Sequence, residues 1–346
     1  MHDISRTRVR KSLDGREPNR VPVFDIYSGD PTVIPAEFPP RTTPESDIFL
    51  LSADLTPRYP IKVLEQDGET LVQTTPYGGV CRVSADRAGP SGVVDYPVKT
   101  RSDWAFLARR LEVAPDRADW DVLRPAYQRA RAAGLCLAFA APVGFEACAA
   151  YSGAQMVQDM MGGDPGLVRD MAEAHAGLLS GMAGVLLAGG CDLDAVLLFD
   201  DLADRRGPHF PPDRYREIFA PVYRRLTDSC HGRGMKVIVY SGGDIRLLVP
   251  DLVASGADCL GPLEVAAGMN LCVLKLNYGA DLAFLGGIDR RALRDRTILE
   301  REVASKVSAG MVNGRYIAGF DGPLPAGIPA EQYACAAELL AKYGKY

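Results

Sequence analysis

The segment 235–250, MKVIVYSGGDIRLLVP, constrains the fold more than any other part of the sequence. It begins with an uninterrupted apolar run that includes Val237, Ile238 and Val239, a pattern typical of a strand buried on both faces. The run stops at 240–244, YSGGD, and apolar residues then recur at helical spacing from Ile245. We therefore predict a turn between the carboxyl end of a strand and the amino end of a helix, where α/β folds bind ligands.

Strand-like and helix-like segments alternate along most of the 346 residues. The patterns that predict parallel strands lie at 21–26, 48–54, 135–141, 193–199, 235–240, 259–260, 283–285 and 315–318. Helical patterns lie between most of them, among them 145–161, 213–232 and 330–343, and the longest covers 165–188 after the cap residue Asp164. Eight parallel strands with right-handed crossovers favour an α/β fold closed into a (β/α)8 TIM barrel, and a doubly wound open sheet is the alternative.

Residues 61–85 depart from this alternation. Two β-prone runs flank Asp67-Gly68, a dipeptide that suits a tight hairpin turn, and residues 79–84 add a third strand. We predict a small antiparallel insertion near residues 61–85 within a single domain that spans residues 1–346.

Composition and charge exclude several classes of protein. The net charge of −5 gives no electrostatic reason to expect nucleic acid or an acidic membrane as a partner. No apolar run reaches the roughly 18 residues of a membrane span, and the first residues lack the apolar segment of a secretory signal. The eight cysteines are scattered without a C-x-x-C pair, which predicts buried thiols in a reducing, cytoplasmic location.

Polar residues follow the predicted strands, at the end of a barrel where catalysis takes place. The candidates at these positions are Asp25, Asp54, Glu146, Asp200, Asp201, Tyr240, Ser241, Glu264, Asp289 and Asp321. Any one of these acids could equally cap a helix or a turn. Asp200 and Asp201 form the strongest pair, because adjacent acids after a buried strand cannot both enter the core unpaired; an ion-paired loop with Arg205 and Arg206 is the alternative.

Histidines are few. His209 follows Gly207-Pro208 in the loop after the paired acids and is the only one positioned to reach this rim. His175 and His231 fall within helical patterns, which favours packing or surface roles.

Seven segments together resemble one family. They are REPNRVPV at 16–23, FDD at 199–201, FAPVY at 219–223, HGRGMKVI at 231–238, GDI at 243–245, SGADCLGPLE at 255–264 and GGID at 286–289. The chain resembles the uroporphyrinogen decarboxylase superfamily and, within it, the corrinoid-dependent methyltransferase branch. This resemblance implies a (β/α)8 barrel with its site at the carboxyl ends of the strands.

Two signatures of that superfamily are altered. Where the decarboxylases carry an Arg-Gln-Ala-Gly-Arg run that holds the porphyrinogen carboxylates, this chain has DIYSG at 25–29, which argues against that substrate. Where the zinc methyltransferases have His-Ser-Cys-Gly and a late cysteine, it has YSGG at 240–243 and GFDGP at 319–323. Tyrosine is a poor zinc ligand and glycine supplies none, so we expect no zinc there; a relocated metal site that includes His209 is left open.

The resemblance implies a methyltransferase that moves a methyl group from a small methylated substrate, such as a methoxyaromatic compound, to a corrinoid protein. The sequence has no Asp-x-His-x-x-Gly cobalamin motif, so we expect the corrinoid (cobalamin) on a separate protein. We predict Tyr240, Asp200 and Asp201 as catalytic residues that protonate the leaving group. The predicted substrate-binding residues are Asp25, Glu146, His209, Ser241, Glu264, Asp289 and Asp321.

Other functions and assemblies fit the same residues. A zinc-free decarboxylase or lyase acting on a small acid would turn over without a corrinoid partner. A non-catalytic barrel that binds a small molecule would lack turnover altogether. The outer helices of such barrels often pair, so a homodimer is also open.

Overall fold

A computed structural model describes residues 3–24, 46–68, 70–84, 92–323 and 328–346. Its strands are β1 (Ile48–Leu51), β2 (Val63–Asp67), β3 (Thr70–Thr74), β4 (Val80–Ser84), β5 (Gly92–Asp95), β6 (Cys136–Pro142), β7 (Ala195–Phe199), β8 (Ala203–Asp204), β9 (Gly207–Pro208), β10 (Lys236–Tyr240), β11 (Cys259–Gly261), β12 (Ala283–Leu285) and β13 (Tyr316–Ile317). Its α-helices are α1 (Ser5–Leu13), α2 (Arg101–Ala108), α3 (Trp120–Ala132), α4 (Gly144–Ser152), α5 (Ala154–Gly163), α6 (Pro165–Ala188), α7 (Pro212–Ile218), α8 (Ala220–His231), α9 (Val249–Ala254), α10 (Leu271–Tyr278), α11 (Arg296–Met311) and α12 (Ala330–Tyr343). Short 3-10 helices cover Pro115–Arg117, Val265–Ala267 and Arg290–Arg294.

The main sheet is parallel, with strand order β1-β6-β7-β10-β11-β12-β13. Both of its edges are hydrogen-bonded to residues 22–24. On one side, the Phe24 N–H donates to the carbonyl of Ala318, which follows β13, at 2.8 Å. On the other side, the N–H of Asp47, which precedes β1, donates to the Val23 carbonyl at 2.7 Å. The predicted parallel α/β sheet is confirmed, and its curled, joined edges are consistent with a TIM-like barrel.

Apolar residues fill both faces of this sheet, and alternate positions along each strand belong to two different layers. Leu197, Phe199 and Tyr240 belong to an inner cluster, whereas Leu198 and Val239 pack with the surrounding helices. This alternation follows from the pleat of a strand, in which successive side chains point to opposite faces. It decides which residues after each strand can reach the interior.

Two predicted helices are each divided in two. The pattern at 145–161 forms α4 and α5 on either side of Gly153, which has a φ of 81° and lies against the ring of Tyr96. The pattern at 213–232 forms α7 and α8, because Pro221 in the first turn of α8 cannot continue the hydrogen bonding of α7. Periodicity alone does not show such breaks, because the apolar face continues through them.

The prediction for 240–244 was wrong in one respect. The next helix, α9, begins only at Val249, so the turn after β10 does not adjoin a helix amino terminus. Helix α10 was not predicted at all. Conversely, the bounds of α6 and α12 match the sequence patterns at 165–188 and 330–343.

The antiparallel insertion is confirmed and is larger than predicted. Strands β2 and β3 pair antiparallel around Asp67-Gly68, and the sheet order is β2-β3-β4-β5. Strand β5 was missed because it lies beyond residue 85, where the predicted insertion ended. Both edge strands of this sheet are exposed along their whole length.

Helix α6 (Pro165–Ala188) is, among the described residues, long and apolar enough to cross a membrane by length and composition. Half of its most apolar window is buried inside the fold, and it packs against α4, α5 and α8 as a core helix. The cysteines are all free thiols; seven are buried, as predicted, and Cys272 is exposed.

At the amino-terminal end of the strands, which we call the base, three aspartates precede β1, β7 and β11. Asp47, Asp194 and Asp258 each accept a hydrogen bond from the backbone N–H of a neighbouring strand or strand-like segment, at 2.8 to 2.9 Å. Basic side chains also pair with them: Arg8 and Arg20 with Asp47, Arg6 and Arg131 with Asp194, and Lys236 and His231 with Asp258. Helix α1 therefore closes the base of the sheet through ion pairs, with Val9 and Leu13 inserted into the inner cluster.

Replacing Arg8 by Met tests this closure. Arg8 and Asp47 are both buried, so the change leaves an incompletely paired carboxylate in the core. We expect the free energy of unfolding to fall by about 3 kcal/mol, at the lower end of the usual range because Arg20 still pairs with Asp47. Urea denaturation measures this, with Arg10→Met on the exposed side of α1 as the control. Equal losses in the two variants would contradict the assignment.

Candidate functional site

The carboxyl ends of β6, β7, β10, β11, β12 and β13 lie at one end of the sheet, which we call the mouth. Asp25 lies outside the described residues, and Asp54 follows β1, where it accepts a hydrogen bond from Arg58 Nε at 2.9 Å. The other candidate residues end or follow one of the six strands named above. The structure separates them into groups with different surroundings.

Tyr240 points into the interior of the sheet. It ends β10 opposite Phe199 in β7, and the two ring centroids are 5.5 Å apart with an angle of 64° between the ring planes. Both side chains belong to the inner cluster, and Tyr240 is only 6% exposed. These rings line the interior of the sheet just below the mouth.

Asp200 faces the other way. Its Oδ2 accepts a hydrogen bond from the Tyr223 hydroxyl on α8, and its Oδ1 accepts one from the Glu146 N–H in the first turn of α4, both at 2.8 Å. Asp200 therefore lies between the sheet and the helices, on the opposite face from Tyr240. Burial raises the pKa of the Asp200 carboxyl well above its usual value, although both hydrogen bonds act in the opposite direction.

Gly144 makes this arrangement possible, and sequence reasoning missed it. Its φ is 56°, a conformation that glycine adopts without strain, and a Cβ atom there would overlap the Asp200 carboxylate. The residue thus lets α4 begin directly against the acid.

Asp201 and His209 lie side by side at the mouth. His209 Nε2 is 3.8 Å from Asp201 Oδ2, and the side chain of Asp201 is 54% exposed. The imidazole stacks on Phe145 of α4, with ring centroids 5.4 Å apart. The backbone N–H of His209 donates to the Leu202 carbonyl at 3.0 Å, so the loop containing β8 and β9 returns to its own start.

Ser241 joins the loops after β7 and β10. It is buried, and its Oγ accepts a hydrogen bond from the Leu202 N–H at 3.2 Å. Asp244 N–H donates to the Asp204 carbonyl at 2.8 Å, and Gly243 lies against the backbone of Ala203 so closely that no Cβ would fit. The two loops therefore form one braced unit.

Three further rim acids, Glu264, Asp289 and Asp321, hold loops in place. Glu264 accepts from Arg205 Nε and from the Gly243 N–H, both at 3.0 Å. Asp289 pairs with Arg291, whose hydrogen bond lowers the pKa of that carboxyl. Asp321 is 2% exposed and accepts from the backbone N–H groups of residues 265 and 290, each at 3.0 Å; burial raises its pKa.

An aromatic group beside the mouth was also missed. Tyr77, in the turn between β3 and β4, lies with its ring centroid 5.9 Å from that of Tyr151 in α4. Burial and the nearby carboxylates of Glu146 and Asp54 raise the pKa of Tyr77. The antiparallel sheet therefore reaches the mouth, and the signal for this was the aromatic residue before Gly78-Gly79 in its turn.

The Tyr151 hydroxyl is 2.6 Å from Nδ1 of His175, whose Nε2 is 3.1 Å from the Pro142 carbonyl at the end of β6. Burial lowers the pKa of His175 to about 4, so the ring is neutral at neutral pH. His175 therefore has the buried packing role that was predicted for it.

A family model described as uroporphyrinogen decarboxylase (URO-D) matches residues 138–343, more than half of the chain. The chain belongs to this family. The family resemblance seen in the sequence is thereby confirmed, and the match includes most of β6, all of β7 to β13 and the rim residues from Glu146 to Asp321.

Solved structures extend the likeness of this URO-D family member beyond the matched region. A methyltransferase from Methanosarcina mazei is similar over 98% of this chain and 99% of its own, with a TM-score of 0.68 and 12% sequence identity, which shows a shared fold. A chitinase from Chromobacterium violaceum covers 71% of this chain and 98% of its own at a TM-score of 0.37 and 12% identity, too low to support an argument. No curated protein matches the chain.

The residues at the end of β10 do not fit a zinc ion. Tyr240, Ser241 and Gly242 offer none of the soft or imidazole ligands that zinc prefers. Across the parts of the chain that the structure describes, no three His, Cys, Asp or Glu side chains gather in a way that could hold a metal ion.

Replacing Gly144 by Ala tests the close contact between Gly144 and the Asp200 carboxylate. The added methyl group must displace the carboxylate or shift α4, and the positive φ adds strain. We expect a loss of about 1–3 kcal/mol in the free energy of unfolding. Gly162→Ala is the matched control, because a Cβ there meets nothing within 4 Å, and we expect a gain of about 0.4–1 kcal/mol in a helix. Urea denaturation of both variants measures these changes. An unchanged free energy of unfolding in Gly144→Ala would contradict the predicted clash.

The raised pKa of Asp200 predicts that the free energy of unfolding depends on pH. Above the ordinary value of 3.8, the folded state holds the proton more tightly than the unfolded state, so this group's contribution to stability declines as pH rises through the window above 3.8. The neutral Asp200→Asn variant lacks this term. We expect its stability relative to the wild type to improve from pH 5 to pH 8 in urea denaturation; a constant difference would show that Asp200 does not titrate there.

Proposed function

We propose that this URO-D family enzyme is a methyltransferase that takes a methyl group from a small methylated substrate and passes it to a corrinoid protein. The observation that carries the proposal is the shared fold, over nearly the full length of both chains, with a methyltransferase from Methanosarcina mazei. The altered residues at 240–243 support a reaction without the zinc site that the resemblance implies.

We further propose that the main sheet is a closed (β/α)8 barrel in which residues 22–24 are the eighth strand. Their hydrogen bonds to Ala318 on one side and Asp47 on the other support this reading. In such a barrel the mouth described above is the place where substrates bind.

The chemistry of the interior favours an aromatic substrate. Phe199 and Tyr240 present ring surfaces near the mouth, and the small side chain of Ala140 on the neighbouring strand belongs to the same inner cluster. Aromatic rings gain stability by stacking or edge contacts with a flat ligand of the same kind. A methoxyaromatic compound meets these requirements, with its oxygen directed towards the polar rim.

The predicted catalytic residues receive different roles in this proposal. Tyr240 contacts the substrate, and its hydroxyl hydrogen-bonds to the methoxy oxygen. Asp201 follows Phe199 by two residues, so in an extended segment it returns to the inner face. Asp200 acts from the helix side as a positioning residue that fixes the start of α4 beside Glu146.

The corrinoid would supply a reduced cobalt as the methyl acceptor. The chain's own residues align the donor at the mouth and exclude water from the interior, and this alignment is a large part of what a barrel contributes to such a transfer. The carrier protein would dock over the mouth, since the sequence holds no cobalamin motif of its own.

The test combines the purified chain, cob(I)alamin and methoxybenzenes, with methyl-cobalamin followed by its absorbance. We expect methyl transfer by the wild type and about a tenfold lower rate for Tyr240→Phe, the value of one hydrogen bond of about 1.4 kcal/mol. Tyr127→Phe is the control, because its hydroxyl bonds to the Asp192 N–H at the base. No transfer from any donor, or carbon dioxide release from a small acid without corrinoid, would reject the proposal.

A further inference from the structure

The rim acids differ in whether their carboxylate oxygens already accept hydrogen bonds from other parts of the fold. Four of them hold the fold together: Asp200 through Tyr223 and the Glu146 N–H, Glu264 through Arg205 and the Gly243 N–H, Asp289 through Arg291, and Asp321 through two backbone N–H groups. None of these four carboxyl groups is well placed to give a proton to a ligand, because their oxygens already accept hydrogen bonds that hold the loops and a movement towards the ligand would break these contacts.

His209 and Asp201 are arranged differently. Their 3.8 Å separation exceeds the length of a hydrogen bond, so the N–H of His209 Nε2 is not committed to the carboxylate. Stacking on Phe145 fixes the plane of the ring, and the Leu202 carbonyl fixes the backbone of His209. The imidazole is thus held in place while its Nε2 forms no hydrogen bond to Asp201.

The position of the pair also fits a proton donor. Asp200, the residue before Asp201, donates its backbone N–H to the Tyr240 carbonyl at 3.1 Å, and Ser241 Oγ accepts from the residue after it. Asp201 therefore lies across the loop from the end of β10. A second carboxylate near His209 is that of Asp204, which is paired with Arg206.

We propose that His209 is the proton donor to the leaving oxygen and that Asp201 is the positioning residue that orients its ring. The inference rests on the proposed methyl transfer. The bond between oxygen and methyl carbon breaks, and its electron pair remains on the oxygen, which takes the proton from His209 Nε2. The methyl group bonds to the reduced cobalt of the carrier, which provides the electron pair of the new bond. His209 then regains a proton from water.

Two donors that differ only in leaving group separate this role from a structural one. 4-Nitrophenolate leaves readily without a proton, whereas phenolate depends more on one. With cob(I)alamin as acceptor, we expect His209→Gln to lose on the order of 10²–10⁴-fold in rate with anisole and less than about tenfold with 4-nitroanisole. Asp201→Asn, which keeps the histidine, should lose about tenfold with anisole and little with 4-nitroanisole.

His231→Gln is the matched control. His231 also forms a histidine–aspartate pair, at 2.7 Å from Asp258, but this pair lies at the base of the sheet. The same substitution there should leave both rates unchanged.

The outcomes are distinct. Equal losses with the two ethers in both His209→Gln and Asp201→Asn, or no loss in either variant, would overturn the proton-donor role and leave methyl transfer standing. A wild type that transfers a methyl group from neither ether would overturn the proposed function and this role together. Thermal melts of the variants identify any loss that comes from unfolding.

Discussion

The pleat of the parallel strands decides which side chains can meet a ligand. Because successive residues point to opposite faces, Phe199 and Tyr240 enter the interior while Asp200 enters the helix layer. The two adjacent acids after β7 therefore have different surroundings: Asp200 is sealed under Tyr223, and Asp201 opens to the mouth. A one-residue shift in this strand would exchange their environments.

Charge is used differently at the two ends of the sheet. At the base, aspartates and basic side chains meet in dense ion pairs that fasten α1 beneath the strands. At the mouth, the acids mostly accept backbone N–H groups or pair with an arginine near them, and so fix the loops after β10, β11 and β12. Among the rim residues that the structure describes, the side chains of Asp201 and His209 lie beside each other at 3.8 Å, beyond hydrogen-bond distance, unlike the acids that hold the loops.

Much of the fold could be read from the sequence, because long apolar runs and cap residues act locally. Helix α6 follows from Asp164 and Pro165, and the β2–β3 hairpin follows from Asp67-Gly68. The site was less accessible. Segment 193–199 is apolar at nearly every position, so the pattern does not show which face is interior, and the face of Asp200 could not be assigned. The approach of His209 to Asp201 depends on a loop that returns to its own start, which no local pattern encodes.

The exposed thiol of Cys272 can be labelled selectively. The other seven cysteines are buried, so a maleimide dye should attach at this one position of the unmodified chain. Cys272 is the second residue of α10, and that helix starts from the loop after β11, on the rim side of the fold. A fluorophore there would report the arrival of a second macromolecule by energy transfer, without any engineered substitution.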